Sequence, residues 1–110
     1  MVSIKEFMNI DLRVGRILEV AEHEKAKKPM YKLKVDFGKE IGVRQIIAGI
    51  AAVYKKEELE GKLIIGVVNL DPKEIAGEVS NGMLLAAEGE NGTLSILTTD
   101  KQISEGSVVH

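Results

Sequence analysis

The chain has 110 residues, no cysteine, two histidines and a formal net charge of −2. This length predicts one domain over residues 1–110, and the absence of cysteine excludes disulfides, thiolate metal sites and a thiol nucleophile. With only His23 and His110 available, we expect no metal site and no cofactor. The charged N-terminus, and the lack of an apolar run near the roughly 20 residues of a membrane span, predict a cytoplasmic protein without a membrane partner.

The first predicted elements are a short helix and a long, interrupted strand. Ser3 followed by Glu6 fits a capping box, which predicts a helix that continues to about Met8. Residues 12–20 are then expected to form a strand. The alternation of polar and apolar side chains breaks at Gly15–Ile17, so we expect a bulge or a sharp bend there.

A lysine-rich loop over residues 23–29 precedes the second strand. Residues 25–34 contain five lysines and no acidic residue, which makes a local basic patch on an acidic chain. Met30–Phe37 alternates cleanly, so its apolar residues are expected to face the core while Lys32 and Lys34 face outward. The patch is either a solvated loop or a surface that contacts phosphates.

Shorter strands and turns are predicted in the rest of the chain. Leu63–Leu70 is a continuous apolar run, which predicts a strand buried on both faces. Five or six short strands, with few helical turns between them, predict a small closed barrel of the all-β class. The other expected elements are a turn at Gly38, a strand over Val43–Gly49, a short connecting helix within residues 51–59, segments Ile75–Val79 and Met83–Ala87 on either side of a Ser80–Gly82 turn, and a strand over Thr93–Thr99 after an Asn91-Gly92 hairpin.

The sequence contains no arrangement of residues suited to catalysis. There is neither a glycine-rich phosphate loop nor a nucleophile elbow, since Ser80 lies between Val79 and Asn81-Gly82. No pair of carboxylates stands at an evident apolar pocket where burial could prepare it for acid–base work. We therefore expect a binding module and no enzyme.

Aromatic residues are scarce, and Phe7, Tyr31, Phe37 and Tyr54 are the four present. Barrels that bind single-stranded nucleic acids usually stack bases on exposed aromatic rings. Three of these four rings are expected in the core, so the sequence does not favour a base-stacking platform. A nucleic-acid ligand would then be recognised through its backbone and its folded shape.

Three residues outside the basic patch form a candidate site. Asn69 interrupts an apolar strand, Ser80 lies in a turn, and Met83 follows a glycine. Their amide, hydroxyl and thioether groups could contact a ribose, a phosphate or a base edge. The alternative is structural, with Asn69 and Ser80 satisfying backbone groups of turns and Met83 packed in the core.

The segment Phe7–Ile17 resembles the opening signature of the tRNA-binding OB domain that is appended to methionyl-tRNA synthetase. Free-standing dimeric tRNA-binding proteins, export-related chaperone-like proteins and the human cytokine precursor family share a similar module. Each motif is weak alone, but several in matching order from Phe7 to about Gly106 are highly specific. The further matching segments are Val35–Gly38, Arg44–Ile46, Tyr54–Lys62, Val68–Pro72 and Gly77–Ala86.

The resemblance implies a five-stranded OB-fold barrel with a short N-terminal helix, a short connecting helix and C-terminal strands that extend the barrel into a homodimer. It also implies binding of tRNA with little regard to sequence, through the folded corner of the molecule. Phosphate contacts from lysines would make the affinity depend on salt. By matching positions, the implied contacts are Asn69, Ser80 and Met83, supported by Arg44 and by Arg13 or Arg16, with phosphate contacts from Lys27, Lys28, Lys32 and Lys34.

Two departures from the family pattern weaken the implied site. Ala48 stands where many members have a serine, and Ala76 stands where many have a basic residue. The segment around Tyr31 looks closer to the chaperone-like proteins, whereas those around Gly61 and Met83 look closer to the synthetase domain.

Two hypotheses therefore stay open. In the first, the chain is a tRNA-binding homodimer or an auxiliary, beta-type subunit of methionyl-tRNA synthetase. In the second, it is a chaperone-like homodimer that binds unfolded or export-bound polypeptides. An exposed apolar groove would favour the second hypothesis, and a continuous basic surface would favour the first.

Overall fold

Ten strands and three one-turn helices make up the computed structural model, which describes residues 1–110. None of the helices is long or apolar enough to cross a membrane. The helices are α1 (Ile4–Phe7), α2 (Gly38–Ile41) and α3 (Lys56–Leu59), one turn of 3-10 helix spans Glu90–Gly92, and the strands are β1 (Leu12–Glu22), β2 (Tyr31–Asp36), β3 (Val43–Ala48), β4 (Leu63–Val67), β5 (Lys73–Ile75), β6 (Glu78–Ser80), β7 (Met83–Leu84), β8 (Ala86–Glu88), β9 (Leu94–Ile96) and β10 (Val108–Val109).

The capping box at the start of α1 is confirmed. The Ser3 hydroxyl accepts a hydrogen bond from the Glu6 N–H at 3.1 Å, and the Glu6 carboxylate accepts one from the Ser3 N–H at 3.0 Å. These bonds satisfy two backbone donors that a helix start leaves without partners, and they lower the pKa of the Glu6 carboxyl. The helix ends at Phe7, one residue before the expected limit.

Five strands form an antiparallel, nearly closed barrel in the order β3-β2-β1-β4-β7. The gap between β7 and β3 is bridged by the Asn81 N–H, which donates to the Gln45 carbonyl at 2.7 Å. Beside it, the Ser80 hydroxyl accepts a hydrogen bond from the Ile47 N–H at 3.0 Å. The predicted all-β, five-stranded OB-fold barrel is confirmed.

Strand β1 is long enough to pair with two strands of the barrel, β2 and β4. Residues 12–16 pair with β4, and residues 16–22 pair with β2. In the pairing with β2, Leu18 is an extra residue between Ile17 and Glu19. The predicted bulge is therefore confirmed, one residue beyond the expected break, and it lets the strand bend around the barrel.

Two glycines allow the Phe37 ring to enter the barrel. A Cβ on Gly15 would lie 2.6 Å from the ring, and a Cβ on Gly66 would lie 2.7 Å from it. Both distances are shorter than van der Waals contact, so neither position can carry a side chain unless the ring moves. Phe37 is fully buried and is the largest of the fully buried side chains.

Strand β4 separates two apolar clusters. Its residues alternate between the barrel interior and the outer side of the sheet, and all five are buried. The prediction of a strand buried on both faces is therefore confirmed. The interior cluster includes Ile17, Leu33, Phe37, Ile46 and Ile64, and the outer cluster consists of Leu12, Val14, Leu63, Ile65 and Val67, with Phe7, Leu85 and Val109 packed against it.

Several local expectations differ from the structure, and the first is the segment Met83–Ala87, which is divided between β7 and β8 in two different sheets. Gly38 begins helix α2 instead of a simple turn, and the buried run stops being a strand at Val67. The segment Ile75–Val79 is not continuous, because the chain reverses at Ala76-Gly77 and β5 pairs with β6. Both turn residues have positive φ, 50° and 87°, and alanine at such a position gives no signal in the sequence.

The C-terminal part adds strands beyond the barrel. The hairpin expected at Asn91-Gly92 is confirmed, since β8 pairs with β9 and Asn91 has a positive φ of 60°. Strand β10 pairs with the start of β1, where Leu12 lies opposite Val109. The end of the chain thereby covers the outer apolar cluster.

Candidate nucleic-acid interface

The outer surface of β2 and β3 carries two of the predicted lysines. Lys34 lies opposite Gln45 and Lys32 lies opposite Ile47, so these four side chains project from the same face of the sheet. Lys28 is exposed in the loop between β1 and β2. The surface formed by Lys25, Lys27, Lys28, Lys32 and Lys34 is called the basic face below.

Most of the positive charge on the basic face has no acidic partner within the chain. Lys32 is the only one of its lysines with a carboxylate oxygen within 4.0 Å, and that atom is Glu78 Oε2 at 3.9 Å. Lysines that are exposed and uncompensated can pair with phosphates without first breaking an internal ion pair. The basic face is therefore suited to a polyanion.

The loop that presents Lys25 to Lys28 is fastened at its base by His23, which is buried. The His23 Nε2 donates a hydrogen bond to the Ile75 carbonyl at 2.7 Å, because a carbonyl only accepts. The His23 backbone N–H donates to the Met30 carbonyl at 3.0 Å. These two bonds join the loop to the β5–β6 hairpin and hold its ends together.

Arg44 lies at one end of the barrel, on the same side of the sheet as its partner Val35. Its Nη1 donates to the Val68 carbonyl at 3.0 Å and to Asn81 Oδ1 at 3.3 Å. No carboxylate lies within 4.0 Å of the guanidinium. Neutral acceptors orient the guanidinium without cancelling its charge, so Arg44 can still bind an anion.

Ser80 is buried, and its hydroxyl is used inside the protein. Oγ accepts a hydrogen bond from the Ile47 N–H at 3.0 Å and donates one to the Gly82 carbonyl at 3.1 Å. The hydroxyl has no proton left to donate, and one lone pair remains for a ligand. Ser80 joins β6 to β3, and its contact with tRNA stays a prediction.

Met83 is exposed instead of packed in the core. Its side chain and Ser80 line the same surface cavity of about 430 Å³, so the structure brings these two predicted residues together. Leu70 and Ile75 give the cavity apolar walls, while Asp71 and Lys73 add one charge of each sign. A cavity of this composition can accept a flat apolar group that has polar edges.

Asn69 does not line that cavity, because its side chain is hydrogen-bonded to the segment that joins α1 to β1. Its Nδ2 donates to the Asn9 carbonyl at 2.7 Å, and its Oδ1 accepts from the Asp11 N–H at 2.8 Å. The side chain lines a different cavity, beside α1 and β10. Asn69 therefore holds the connection between α1 and β1, and its contact with tRNA stays a prediction.

The two arginines of β1 are compensated by acidic residues. Arg13 Nε donates to Asp11 at 2.7 Å, and this hydrogen bond raises the pKa of the Arg13 guanidinium. Arg16 Nε donates to Glu105 at 2.8 Å, which lowers the pKa of the Glu105 carboxyl. The surface formed by these arginines, α2 and residues 102–107 is called the tail face below. On the tail face the arginines hold the C-terminal segment against β1.

Two polar residues beside the basic face were missed by the sequence reasoning. Gln45 Nε2 donates to Glu78 Oε1 at 3.3 Å and to the Val79 carbonyl at 3.0 Å. Pairing β2 with β3 in register would have placed Gln45 opposite Lys34 and revealed it. No pattern in the sequence indicates that Glu78 lies beside the basic face, because its position depends on the chain reversal before β6.

The aromatic side chains are all engaged inside the protein. The Tyr31 hydroxyl donates to the Tyr54 carbonyl at 2.8 Å, and the Tyr54 hydroxyl accepts from the Ile96 N–H at 3.0 Å. Phe37 is fully buried, and Phe7 packs against the outer cluster. No aromatic ring is exposed for base stacking, so contacts to a nucleic acid would come from charged and polar groups.

Residues 12–108 match the family described as "Putative tRNA binding domain". The methionine–tRNA ligase of Methanococcus vannielii is 47% identical over 110 residues, which are 100% of this chain and 16% of that protein. The CsaA chaperone protein from Picrophilus torridus has a TM-score of 0.93 and 42% identity, and each chain is covered completely. A MetRS related protein from Pyrococcus horikoshii has a TM-score of 0.90 and 37% identity, with 100% of this chain and 98% of that chain covered.

The family match covers most of the chain and includes the barrel and the C-terminal strands. The two structural relatives have the same fold along their whole length, although the chain spans only 16% of the ligase. The family is a non-catalytic binding module, in agreement with the expectation from the sequence. The chain belongs to this tRNA-binding domain family.

Proposed function

We propose that the basic face, Arg44 and the cavity at Met83 bind folded tRNA through its backbone and shape. One observation carries this proposal: the cations of the basic face and Arg44 are almost free of acidic partners, whereas both arginines of β1 are compensated. Uncompensated cations provide the electrostatic attraction that dominates nucleic-acid affinity. Since contacts to phosphates carry no sequence information, the sequence of the tRNA contributes little.

We further propose that the protein works in the cytoplasm, as a homodimer or as an auxiliary subunit of methionyl-tRNA synthetase. The resemblance to methionine–tRNA ligases supports the second role, in which the module raises the synthetase's affinity for tRNA. An exposed apolar surface supports the dimer, because α1 buries none of its residues. That surface consists of Met1, Val2, Ile4, Met8, Ile10 and Val108.

A chaperone-like homodimer is the second candidate function. A structural relative is a CsaA chaperone protein, and the cavity at Met83 has apolar walls formed by Leu70 and Ile75. An unfolded polypeptide could place an apolar side chain in this cavity. The basic face gives such a partner no advantage, so tRNA remains the first candidate.

Binding of labelled total tRNA at two salt concentrations tests the proposal, with double-stranded DNA as control. Four phosphate contacts predict a slope of about −3.5 for log K against log salt, so affinity should fall about 100-fold between 50 and 200 mM. We expect micromolar or tighter binding of tRNA at low salt and much weaker binding of DNA. Failure to bind tRNA at low salt, together with binding of an unfolded polypeptide, would move the chaperone-like function to first place.

Sedimentation at micromolar concentration tests the assembly. A dimer is expected, and Ile4→Ser with Met8→Ser should convert it to a monomer without unfolding the barrel, since both side chains are exposed. A wild-type chain that sediments only as a monomer would contradict the homodimer.

A further inference from the structure

Glu78 is the one acidic side chain that contacts the basic face. Its Oε2 lies 3.9 Å from Lys32 Nζ, and its Oε1 accepts a hydrogen bond from Gln45 Nε2 at 3.3 Å. A carboxylate and a phosphodiester each carry one negative charge on two terminal oxygens, and both accept hydrogen bonds from ammonium and amide groups. The Glu78 carboxylate therefore lies where the donors would suit a phosphate.

We propose that Lys32 and Gln45 form a phosphate subsite, and that Glu78 is an internal competitor that occupies it in the free protein. The inference rests on the proposed tRNA binding and adds a residue that limits it. A backbone phosphate of the tRNA must displace the Glu78 carboxylate before it can bind Lys32. Glu78 thereby lowers the affinity and discriminates against weakly charged ligands.

The contacts of Glu78 are weak enough for this exchange. An ammonium–carboxylate hydrogen bond is usually 2.7–2.9 Å long, so 3.9 Å between Lys32 and Glu78 is a loose ion pair. The amide contact from Gln45 to Glu78, at 3.3 Å, is also slightly longer than the usual N–H···O range. The side chains of Lys32 and Glu78 are 30% and 35% exposed, and pairs that reach solvent to this extent contribute little to stability.

The donors stay in place when Glu78 leaves. Gln45 Nε2 also donates to the Val79 carbonyl at 3.0 Å, and this bond does not involve the Glu78 side chain. The backbone of β6 is anchored independently, because Ser80 Oγ accepts from the Ile47 N–H. Rotation of the Glu78 side chain is therefore sufficient to open the subsite.

Other charged groups surround the subsite without closing it. Lys25, Lys32 and Glu78 line one polar cavity of about 310 Å³. Glu22 and Glu24 line the same cavity, but neither carboxylate lies within 4.0 Å of a lysine nitrogen. Glu19 lies opposite Lys34, but its carboxylate is also more than 4.0 Å from any lysine nitrogen, so Glu78 is the acid placed to compete directly.

The substitution Glu78→Gln tests the inference, with Glu74→Gln as its matched control. Glu74 lies on the same hairpin opposite Val79, whereas Glu78 lies opposite Ile75, so the two acids project from opposite sides of it. Both variants remove one negative charge. We expect E78Q to raise the tRNA affinity about threefold at 50 mM salt and E74Q to leave it within about 1.5-fold.

A double-mutant cycle identifies the lysine involved. In a Lys32→Gln background the gain from E78Q should disappear, because the subsite has lost its cation. An equal gain from E74Q, or a gain that persists without Lys32, would mean that only the overall charge matters and would overturn the inference.

A titration with inorganic phosphate separates this inference from the proposed function. Millimolar phosphate should shift the Gln45 side-chain amide resonances more strongly in E78Q than in the wild type. This result without any binding of tRNA would retain the phosphate subsite and reject tRNA as its ligand. Normal tRNA binding with equal shifts in both proteins would retain the proposed function and reject Glu78 as a competitor.

Discussion

The basic face and the tail face use cationic side chains in opposite ways. On the tail face, Arg13 and Arg16 each bond to a carboxylate, and the Gly106 backbone packs so tightly that a Cβ would lie 2.6 Å from the Phe37 carbonyl oxygen. On the basic face, four of five lysines have no acidic partner. Nearby, a Cβ on Gly49 would meet no atom closer than 3.8 Å.

This difference shows that the number of cations on a surface does not define a binding site. The partners of the cations decide whether their charge is available. The cations of the tail face hold the C-terminal segment against β1. Those of the basic face remain available to a ligand. Matched substitutions on the two faces can therefore test this difference.

The largest effect is expected from Gly106→Ala on the tail face. Gly106 has a φ of +89°, and its new Cβ would collide with the Phe37 carbonyl oxygen at 2.6 Å. We expect the free energy of unfolding to fall by about 3 kcal/mol in urea denaturation. Gly49→Ala is the control and should change it by less than about 0.5 kcal/mol. Similar effects at both positions would show that the tail face is no more tightly packed than the region of Gly49 near the basic face.

The next effect separates Arg44 from Arg13. Replacing Arg44 with methionine removes an uncompensated cation and should weaken tRNA binding about tenfold, since hydrogen bonds to charged groups contribute about 1.5–3 kcal/mol. Replacing Arg13 with methionine removes the same charge from the tail face. It should lower the melting temperature and leave the tRNA affinity within about twofold. Equal losses of affinity would remove the distinction between an uncompensated and a compensated arginine.

A smaller effect on tRNA affinity distinguishes Met83 from Ser80 in the shared cavity. Ser80→Ala leaves the buried Ile47 N–H without an acceptor and should reduce the free energy of unfolding by about 2 kcal/mol. Met83→Ala changes an exposed side chain, so the melting temperature should stay constant while tRNA affinity falls about threefold. Unchanged affinity in Met83→Ala would mean that the cavity does not contact the tRNA.

The smallest effect concerns pH on the tail face. The hydrogen bond from Arg16 lowers the pKa of the Glu105 carboxyl below its usual value of 4.5. A carboxyl with a lowered pKa stabilises the fold above its unfolded pKa, and the stabilisation is lost as pH falls through the folded pKa. Glu105→Gln should therefore flatten the loss of melting temperature between about pH 5 and pH 3. Glu74→Gln, which removes an exposed acid outside the tail face, should leave that profile unchanged.

The sequence predicted the features whose causes are local. The alternation in β2 and the apolar run in β4 defined two strands, because side-chain burial follows the strand period directly. The capping box at Ser3 and the Asn91-Gly92 hairpin also depend on residues close in sequence. The reversal at Ala76-Gly77 was missed, since alanine rarely adopts a positive φ and does not signal such a turn.

The candidate site was predictable in part. Lys28 and Lys34 are exposed as expected, and Met83 is exposed although one interpretation placed it in the core. The hydrogen bonds of Asn69 and Ser80 were not predictable, because their partners lie 58 and 33 residues away along the chain. The contact between Glu78 and Lys32 depends on the same long-range arrangement.

We propose above that the lysines of the basic face bind the tRNA backbone. The most direct test measures the slope of log K against log salt for two triple variants, in which three lysines are changed to glutamine. One variant changes Lys28, Lys32 and Lys34. The other changes Lys5, Lys39 and Lys101, which are exposed and lie on α1, on α2 and in the C-terminal segment.

The two variants have the same net charge, so only the position of the lost lysines differs between them. We expect the first variant to bind tRNA more weakly, with a slope that is smaller in magnitude by about 2.5 to 3. The second variant should keep the wild-type slope. Equal changes of slope in both variants would show that tRNA responds to overall charge alone, and would contradict the assignment of the basic face as the binding surface.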